Sequence, residues 1–352
     1  MNCYNGQSKT NKYRILLNNL KRDLKGKYQL VKEIVYNTGL SGYISKEFVL
    51  LFPYVNRIRV LLDFDSSFAI LFKLLPKLNY LKHFSLVFLG QEFKTIDSIN
   101  CKNFLFQLNM LNLEVPNIIA GSKSPFDLVD QSFYNLKRLT IINNSMLINL
   151  SKGLPSIRSV EFKANANLEK SQLLKFISNN SQLERLSIPI SCFNVSIVDS
   201  IMSLCKLYRL ELISNLESNS NNNIQIFTDN DSIKYLKYIE KEGYTYNLEI
   251  VKYCKSLEIL EICNFQYAES HVLFNTFNLP EIPTLLISQT LDECTTRGIL
   301  MSAKNFKEIK FRFGRKFSEI YNEINNLKNC DWVPKYGYEK DTDEFTLVKK
   351  LN

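Results

Sequence analysis

The chain has 352 residues, 45% apolar and 22% charged, a composition that excludes a disordered chain and a disulfide-stapled miniprotein. The formal net charge is +9, and its excess lies at the ends: residues 1–32 carry +7 and residues 304–317 carry +5. Residues 318–352 carry −2, which leaves −1 for residues 33–303. The body of the chain is therefore neutral, and nucleic-acid binding is not expected of it.

The sequence also indicates a compartment. No apolar run approaches the roughly 18 residues of a membrane span, and residues 1–27 contain no apolar stretch of signal-peptide length. The eight cysteines are scattered without a CxxC spacing, so they are expected to be small core residues. We therefore expect a soluble protein of the cytoplasm or the nucleus, without a transmembrane segment.

The first predicted element is a basic amphipathic helix within residues 1–30. Its apolar residues follow helical spacing, at Tyr13, Leu16, Leu17, Leu20 and Leu24. A repeat array exposes an apolar face at its start unless something covers it, so this helix is predicted to be an N-terminal cap. A helix that binds a membrane surface or a partner is the alternative.

A repeat then dominates residues 31–314. The phrase apolar-x-x-apolar-x-apolar occurs eleven times, at steps of 21 to 28 residues. Its copies begin at Val55, Leu81, Leu108, Leu136, Ile157, Leu183, Leu207, Ile233, Leu257, Ile282 and Phe306, and a weaker copy begins at Val31. Each phrase predicts one short strand, because its last two apolar positions are two residues apart and would share one face of the strand.

Helix-like stretches separate the phrases, at residues 45–52, 66–75, 168–180, 194–204, 247–257 and 269–277. A unit with one strand and one helix cannot bury its apolar face alone, so neighbouring units must stack. The predicted fold is an α/β right-handed horseshoe solenoid of about 11–12 repeats. Its parallel sheet would line the concave face, and its helices would cover the convex face.

Smaller features complete the predicted organisation. Asn144, Asn165 and Asn215 each follow the last apolar position of a copy by three residues, and a ladder of these amides between turns is expected. The polar insert at 214–223 predicts a disordered loop. Residues 315–352 are predicted to form a C-terminal cap helix and tail. The apolar stripe of that helix is Phe317, Ile320, Tyr321, Ile324 and Leu327, and Trp332 follows it.

No catalytic pattern is found. The two histidines, His83 and His271, have no second metal ligand nearby in sequence, and no phosphate-binding glycine loop or GxSxG motif occurs. We therefore expect a protein that is not an enzyme and that needs no cofactor or metal.

Binding residues are predicted from strand alternation. The residues on either side of the second apolar position point away from the core, so they would line the concave face. The candidates for partner binding are Arg57, Arg59, Arg138, Arg185, Arg209, Tyr235, Ile259 and Leu286. Arg185 and Arg209 are expected on adjacent strands, flanked by Glu161 and Glu211. These arginines either pair with neighbouring glutamates or bind an acidic or phosphorylated segment of a partner.

Four phrases resemble a known family: LKRLTIINN (136–144), IRSVEFKAN (157–165), LYRLELISN (207–215) and CKSLEILEIC (254–263). They are similar to leucine-rich repeats of the ribonuclease-inhibitor-like and cysteine-containing kinds that F-box substrate adaptors carry. The resemblance implies a non-catalytic protein-binding scaffold, a substrate-recognition role and ubiquitin-ligase subunits among its partners.

Two other functions are compatible with the sequence. A leucine-rich-repeat surface can regulate a GTPase or another enzyme, with one arginine entering the partner's active site. The basic ends could instead tether the chain to a membrane surface or to nucleic acid.

Overall fold

The structure, a computed structural model, describes residues 5–36, 51–62, 75–88, 102–114, 125–163, 168–214, 228–239, 248–263, 279–288, 293–312, 331–335 and 344–350. The chain divides into two compact units, residues 1–180 and 181–352. Among the described residues, no helix has both the length and the apolar character needed to cross a membrane.

The first unit alternates strands and helices. Its described elements are α1 (Asn5–Asp23), β1 (Glu33–Tyr36), β2 (Arg57–Leu62), β3 (His83–Phe88), α2 (Lys102–Phe106), β4 (Met110–Glu114), β5 (Arg138–Ile141), α3 (Asn144–Leu150), β6 (Ser159–Phe162) and α4 (Lys170–Ser178). The six strands are parallel and lie in chain order, β1 to β6. Such neighbouring parallel strands need a crossover for each step, which the helical segments supply.

The second unit has the same plan and a different end. Its described elements are β7 (Arg185–Pro189), α5 (Val195–Met202), β8 (Arg209–Ile213), β9 (Tyr235–Ile239), β10 (Ile259–Cys263), β11 (Ile282–Ile287), α6 (Glu293–Ser302), β12 (Phe306–Arg312), β13 (Trp332–Pro334) and β14 (Glu344–Lys349). Strands β7 to β12 are parallel neighbours in chain order. Strand β14 then pairs antiparallel with β12, and β13 pairs antiparallel with β14.

The predicted repeat register is confirmed. In each unit, residues of the second apolar position pair directly across adjacent strands, as Ile58 does with Phe84 and Leu210 does with Leu236. The outer two apolar positions of each complete phrase are buried with the second one. The prediction of an α/β fold with strands at these phrases is therefore correct.

The helices bury their apolar faces as well. In α4, Leu173, Phe176 and Ile177 are buried, and the Phe176 ring meets Phe162 of β6 edge-on at 5.7 Å between centroids. Two of the helices begin at a side chain that accepts a free backbone N–H group of the first turn. Asn143 caps α3 through the Met146 N–H, and Asn194 caps α5 through the Ile197 N–H.

Polar side chains at the turns before the strands join successive repeats. Gln107 donates to the Leu78 carbonyl at 2.9 Å, and Asn135 donates to the Phe106 carbonyl at 3.1 Å. In the second unit, Asn230 donates to the Met202 carbonyl at 2.7 Å, and Asn305 donates to the Leu279 carbonyl at 2.6 Å. Each bond ties a side chain of one repeat to a backbone carbonyl of the preceding repeat.

The amides of the predicted ladder are partly described. Asn144 accepts the Glu169 N–H at 2.6 Å, a bond that joins two repeats. Asn165 and Asn215 lie outside the described residues. The turns before the strands thus carry inter-repeat bonds that the phrase alone did not indicate.

One glycine reflects the close packing of repeats. Gly153, in the turn after α3, has φ +93°, and a Cβ there would lie 2.7 Å from the Asn179 carbonyl oxygen. Asn180 accepts the N–H of Leu154 at 2.8 Å in the same contact. The backbone approach leaves no room for a side chain at position 153.

Several predicted elements differ or cannot be compared. Residues 247–257 contain a 3₁₀ helix, Leu248–Tyr253, where a helix with α spacing was expected. Strands β13 and β14 in the tail were not expected. The helix predicted at 269–277, most of those at 45–52 and 66–75, the insert from 215 to 223, and the C-terminal helix lie outside the described residues.

Candidate functional site

The candidate site consists of the outward rows of side chains on the strands of each unit, which we call the polar face. In the first unit, the register aligns Glu33, Arg57, His83, Met110, Arg138 and Ser159. In the second unit, it aligns Arg185, Arg209, Tyr235, Ile259, Thr284 and Glu308. The row two residues further along holds Ser187, Glu211, Lys237, Glu261, Leu286 and Lys310.

The three predicted arginines of the first unit lie in different surroundings. Arg57 makes an ion pair with Glu33 at 3.4 Å and donates its Nε–H to His83 Nδ1 at 3.2 Å. Burial and the Arg57 charge lower the pKa of His83, which keeps the imidazole neutral and able to accept. Arg59 and Arg138 are exposed, and no described residue forms an ion pair with either of them.

In the second unit, Arg185 and Arg209 are direct partners in the β7–β8 register, as expected. Arg209 bonds Glu211 at 2.7 Å, and its guanidinium carbon lies 4.2 Å from the centre of the Tyr235 ring. Arg185 is exposed, donates to the Tyr208 hydroxyl and lies 5.2 Å from that ring. No carboxylate of the described residues pairs with Arg185, so its charge is available to a partner.

A buried carboxylate, that of Glu261, holds the Tyr235 side chain in place. The Tyr235 hydroxyl bonds Glu261, whose side chain is 3% exposed and lies 3.1 Å from the Lys237 ammonium. Burial alone would raise the pKa of Glu261, but the Tyr235 hydrogen bond and the Lys237 charge outweigh it and lower that pKa to about 2. Glu261 and Lys237 therefore stay ionised at neutral pH. The Glu261 carboxylate holds the Tyr235 ring in place, and the Arg209 guanidinium stacks on that ring.

Two predicted apolar contacts are less accessible than expected. Ile259 is half-buried, and Leu286 is only 3% exposed. Glu261 and Thr284, their neighbours in the register, are also buried. Strand alternation predicts the direction in which a side chain points, but it does not predict what covers that side chain. The prediction of Leu286 as a surface contact is therefore wrong, because the residue is buried.

The arrangement favours binding over nucleophilic chemistry. Burial raises the pKa of the Cys254 thiol to about 12 and that of the Cys263 thiol to about 11, so both stay protonated at neutral pH. Within the described ranges, no cluster of metal-ligating side chains occurs. The groups on this face that are suited to bind a partner include exposed guanidinium groups and partly exposed tyrosine rings.

Sequence reasoning missed Tyr208. It follows the first apolar position of its phrase, whereas the alternation argument considered only the residues beside the second one. Its signal was available, because a strand start next to Arg209 places an aromatic ring beside the arginine of the preceding strand. Arg185, Tyr208, Arg209 and Tyr235 together form what we call the Arg–Tyr cluster.

Comparisons with known proteins add little to this geometry. No protein-family model matches the chain, and no curated protein matches it. An internalin from Listeria monocytogenes is similar in structure, with 17% sequence identity and a TM-score of 0.36, over 89% of this chain and 79% of the internalin. This TM-score is too low to support the fold. The description of the fold is based instead on the strand register of this chain.

Proposed function

We propose that this chain is a non-catalytic repeat scaffold that binds a partner protein on its polar face, which would be the concave face of the predicted right-handed horseshoe. The Arg–Tyr cluster carries the proposal. Two arginines on adjacent strands rest against tyrosine rings, and Arg185 keeps an exposed guanidinium without a carboxylate of the described chain. Arginine and tyrosine are enriched among residues that dominate binding energy at interfaces.

The favoured partner segment is acidic or phosphorylated. A planar guanidinium can donate two parallel hydrogen bonds to a carboxylate or a phosphate, and the nearby ring excludes water from them. Glu211 partly neutralises the positive charge of Arg209, because the two side chains form an ion pair. Arg185 is therefore the principal anchor of the proposal, and Arg209 supports it.

An F-box-like substrate adaptor is the narrower form of this proposal. It rests on the resemblance of the four phrases to repeats of such adaptors. Ubiquitin-ligase subunits among captured proteins would support it, and a GTPase would favour the regulator alternative.

The test is affinity capture with the full chain, followed by mass spectrometry. Arg185→Ala combined with Arg209→Ala should weaken capture of the specific partner by about ten- to a hundredfold, as expected for the loss of charge-assisted hydrogen bonds. The matched control is Arg297→Ala with Lys304→Ala, two exposed cations on α6 and the turn after it. Equal capture by both double variants, with unchanged circular dichroism, would contradict the proposal.

A further inference from the structure

The two units differ strongly in charge. Residues 1–180 contain 24 lysines and arginines and 12 acidic residues, a net charge of +12. Residues 181–352 contain 20 basic and 23 acidic residues, a net charge of −3. The net charge of −1 for residues 33–303 hides this difference, because that range includes parts of both units.

In the first unit, the strand register gathers basic side chains at the edge where the strands begin. The four residues that start each of its phrases contribute six cations and one acid: Lys32, Arg57, Lys82, Lys137, Arg138 and Arg158, with Glu33. The six matching segments of the second unit contribute four cations and three acids. Five of the six cations are exposed, all but Arg158. Three of these five, Lys82, Lys137 and Arg138, have no ion-pair partner among the described residues.

The backbone holds this edge in a fixed geometry. The carbonyl of Asn56 accepts two N–H groups of the next strand, from Lys82 at 2.8 Å and from His83 at 2.9 Å. The carbonyls of Lys82, Asn109 and Lys137 each do the same for the following strand. Because adjacent strands are about 4.8 Å apart, Lys82 and Lys137 stand about 10 Å from each other along one line.

Exposed tyrosines interrupt the row of cations. Tyr54, Tyr80 and Tyr134 lie in the turns that lead into strands β2, β3 and β5, and they are 42%, 54% and 74% exposed. Tyr54 and Tyr80 are neighbours, with ring centres 5.3 Å apart, and the Lys32 ammonium lies 5.3 Å from the centre of the Tyr54 ring. These rings are therefore presented to solvent and not packed in the core.

We propose that this edge, the basic aromatic edge of the first unit, binds single-stranded nucleic acid. Lysine and arginine would contact successive phosphates, and the tyrosines would stack on bases, the combination used by proteins that bind single strands without sequence preference. An acidic polypeptide would satisfy the cations but has no planar bases to cover the rings. The site is separate from the Arg–Tyr cluster, which belongs to the other unit.

The test is fluorescence anisotropy of a labelled oligothymidylate with the full chain at several salt concentrations. Lys82→Gln with Lys137→Gln should weaken binding by roughly tenfold or more and reduce the slope of log affinity against log salt by about 1.4, which is about 0.7 for each lost phosphate contact. The control, Lys206→Gln with Lys307→Gln, removes the same charge from exposed strand starts of the second unit. It should change neither quantity.

A second variant distinguishes bases from charge alone. Tyr80→Leu keeps an apolar side chain but removes the stacking ring, and it should weaken oligothymidylate binding by about 5- to 100-fold without affecting binding of labelled polyglutamate. Equal losses for the two lysine pairs would overturn the proposal. So would polyglutamate binding as tight as oligothymidylate binding with no effect of Tyr80→Leu, because the edge would then be a site for acidic polypeptides.

Discussion

Glu261 shows how one buried acid organises the polar face of the second unit. It accepts from Tyr235 and pairs with Lys237, and Tyr235 in turn carries the Arg209 guanidinium on its ring. Burying a charge is costly unless partners compensate for it, so each member of this chain of contacts depends on the others. The sequence predicted that Glu261 points outward, and it could not predict that the residue is buried there.

We expect Glu261→Gln to destabilise the fold by about 1–3 kcal/mol at pH 7, because a buried charged hydrogen bond is lost. The pKa of Glu261 is about 2, below its ordinary value of 4.5. The carboxylate therefore stabilises the fold above about pH 4.5, and this contribution falls as pH drops toward 2. Urea denaturation of both proteins should show a stability difference that narrows over this range.

Glu258→Gln is the matched control for that experiment. Its carboxylate pairs with Lys234 at the surface, where both side chains are more than half exposed. Its loss should cost well under about 1 kcal/mol. A Glu261→Gln protein as stable as wild type at pH 7 would show that the pair contributes nothing.

At the scale of elements, each described strand of a unit contributes to the apolar layer of that unit. Leu139 of β5 is 1% exposed and pairs in the register with Leu111 and Val160 on either side. Leu139→Ala should therefore cost about 2–5 kcal/mol, and Leu210→Ala in the second unit should do the same. The control Ile148→Ala changes a residue of α3 that is 48% exposed and should stay within about 0.5 kcal/mol.

Chemical denaturation measures these differences. If Leu139→Ala unfolded at the same denaturant midpoint as Ile148→Ala, the assigned register of β5 would be wrong. An unchanged slope of stability against denaturant would show that the variants still unfold from the same compact state.

The strands were predictable, and several other elements were not, for physical reasons. The strands could be predicted because the phrase of three apolar positions recurs at a near-constant interval. A single copy of so loose a pattern would not have been sufficient. Over the short segment Leu248–Tyr253, apolar spacing cannot distinguish a 3₁₀ helix from an α-helix. Strand β14 has a signal of its own, since Phe345 and Leu347 alternate with less buried residues, but this pattern does not repeat.

At the scale of the whole molecule, one repeat plan carries two different surfaces. The first unit has a net charge of +12 and an edge of cations and exposed tyrosines, whereas the second has −3 and the Arg–Tyr cluster. The sequence located the outward rows of both units from alternation alone. It could not say which arginines pair with acids, because Arg57 and Arg209 differ from Arg185 only in contacts that the register and the rotamers create.

The most direct measurement is photo-crosslinking at the Arg–Tyr cluster with the partner that affinity capture identifies. A photoreactive benzoylphenylalanine replaces Tyr208 in one protein and Val195, 41% exposed at the start of α5, in the other. We expect a covalent adduct with the partner at position 208 and none at position 195. An adduct at 195 alone would place the partner on the helical side and contradict binding through the polar face.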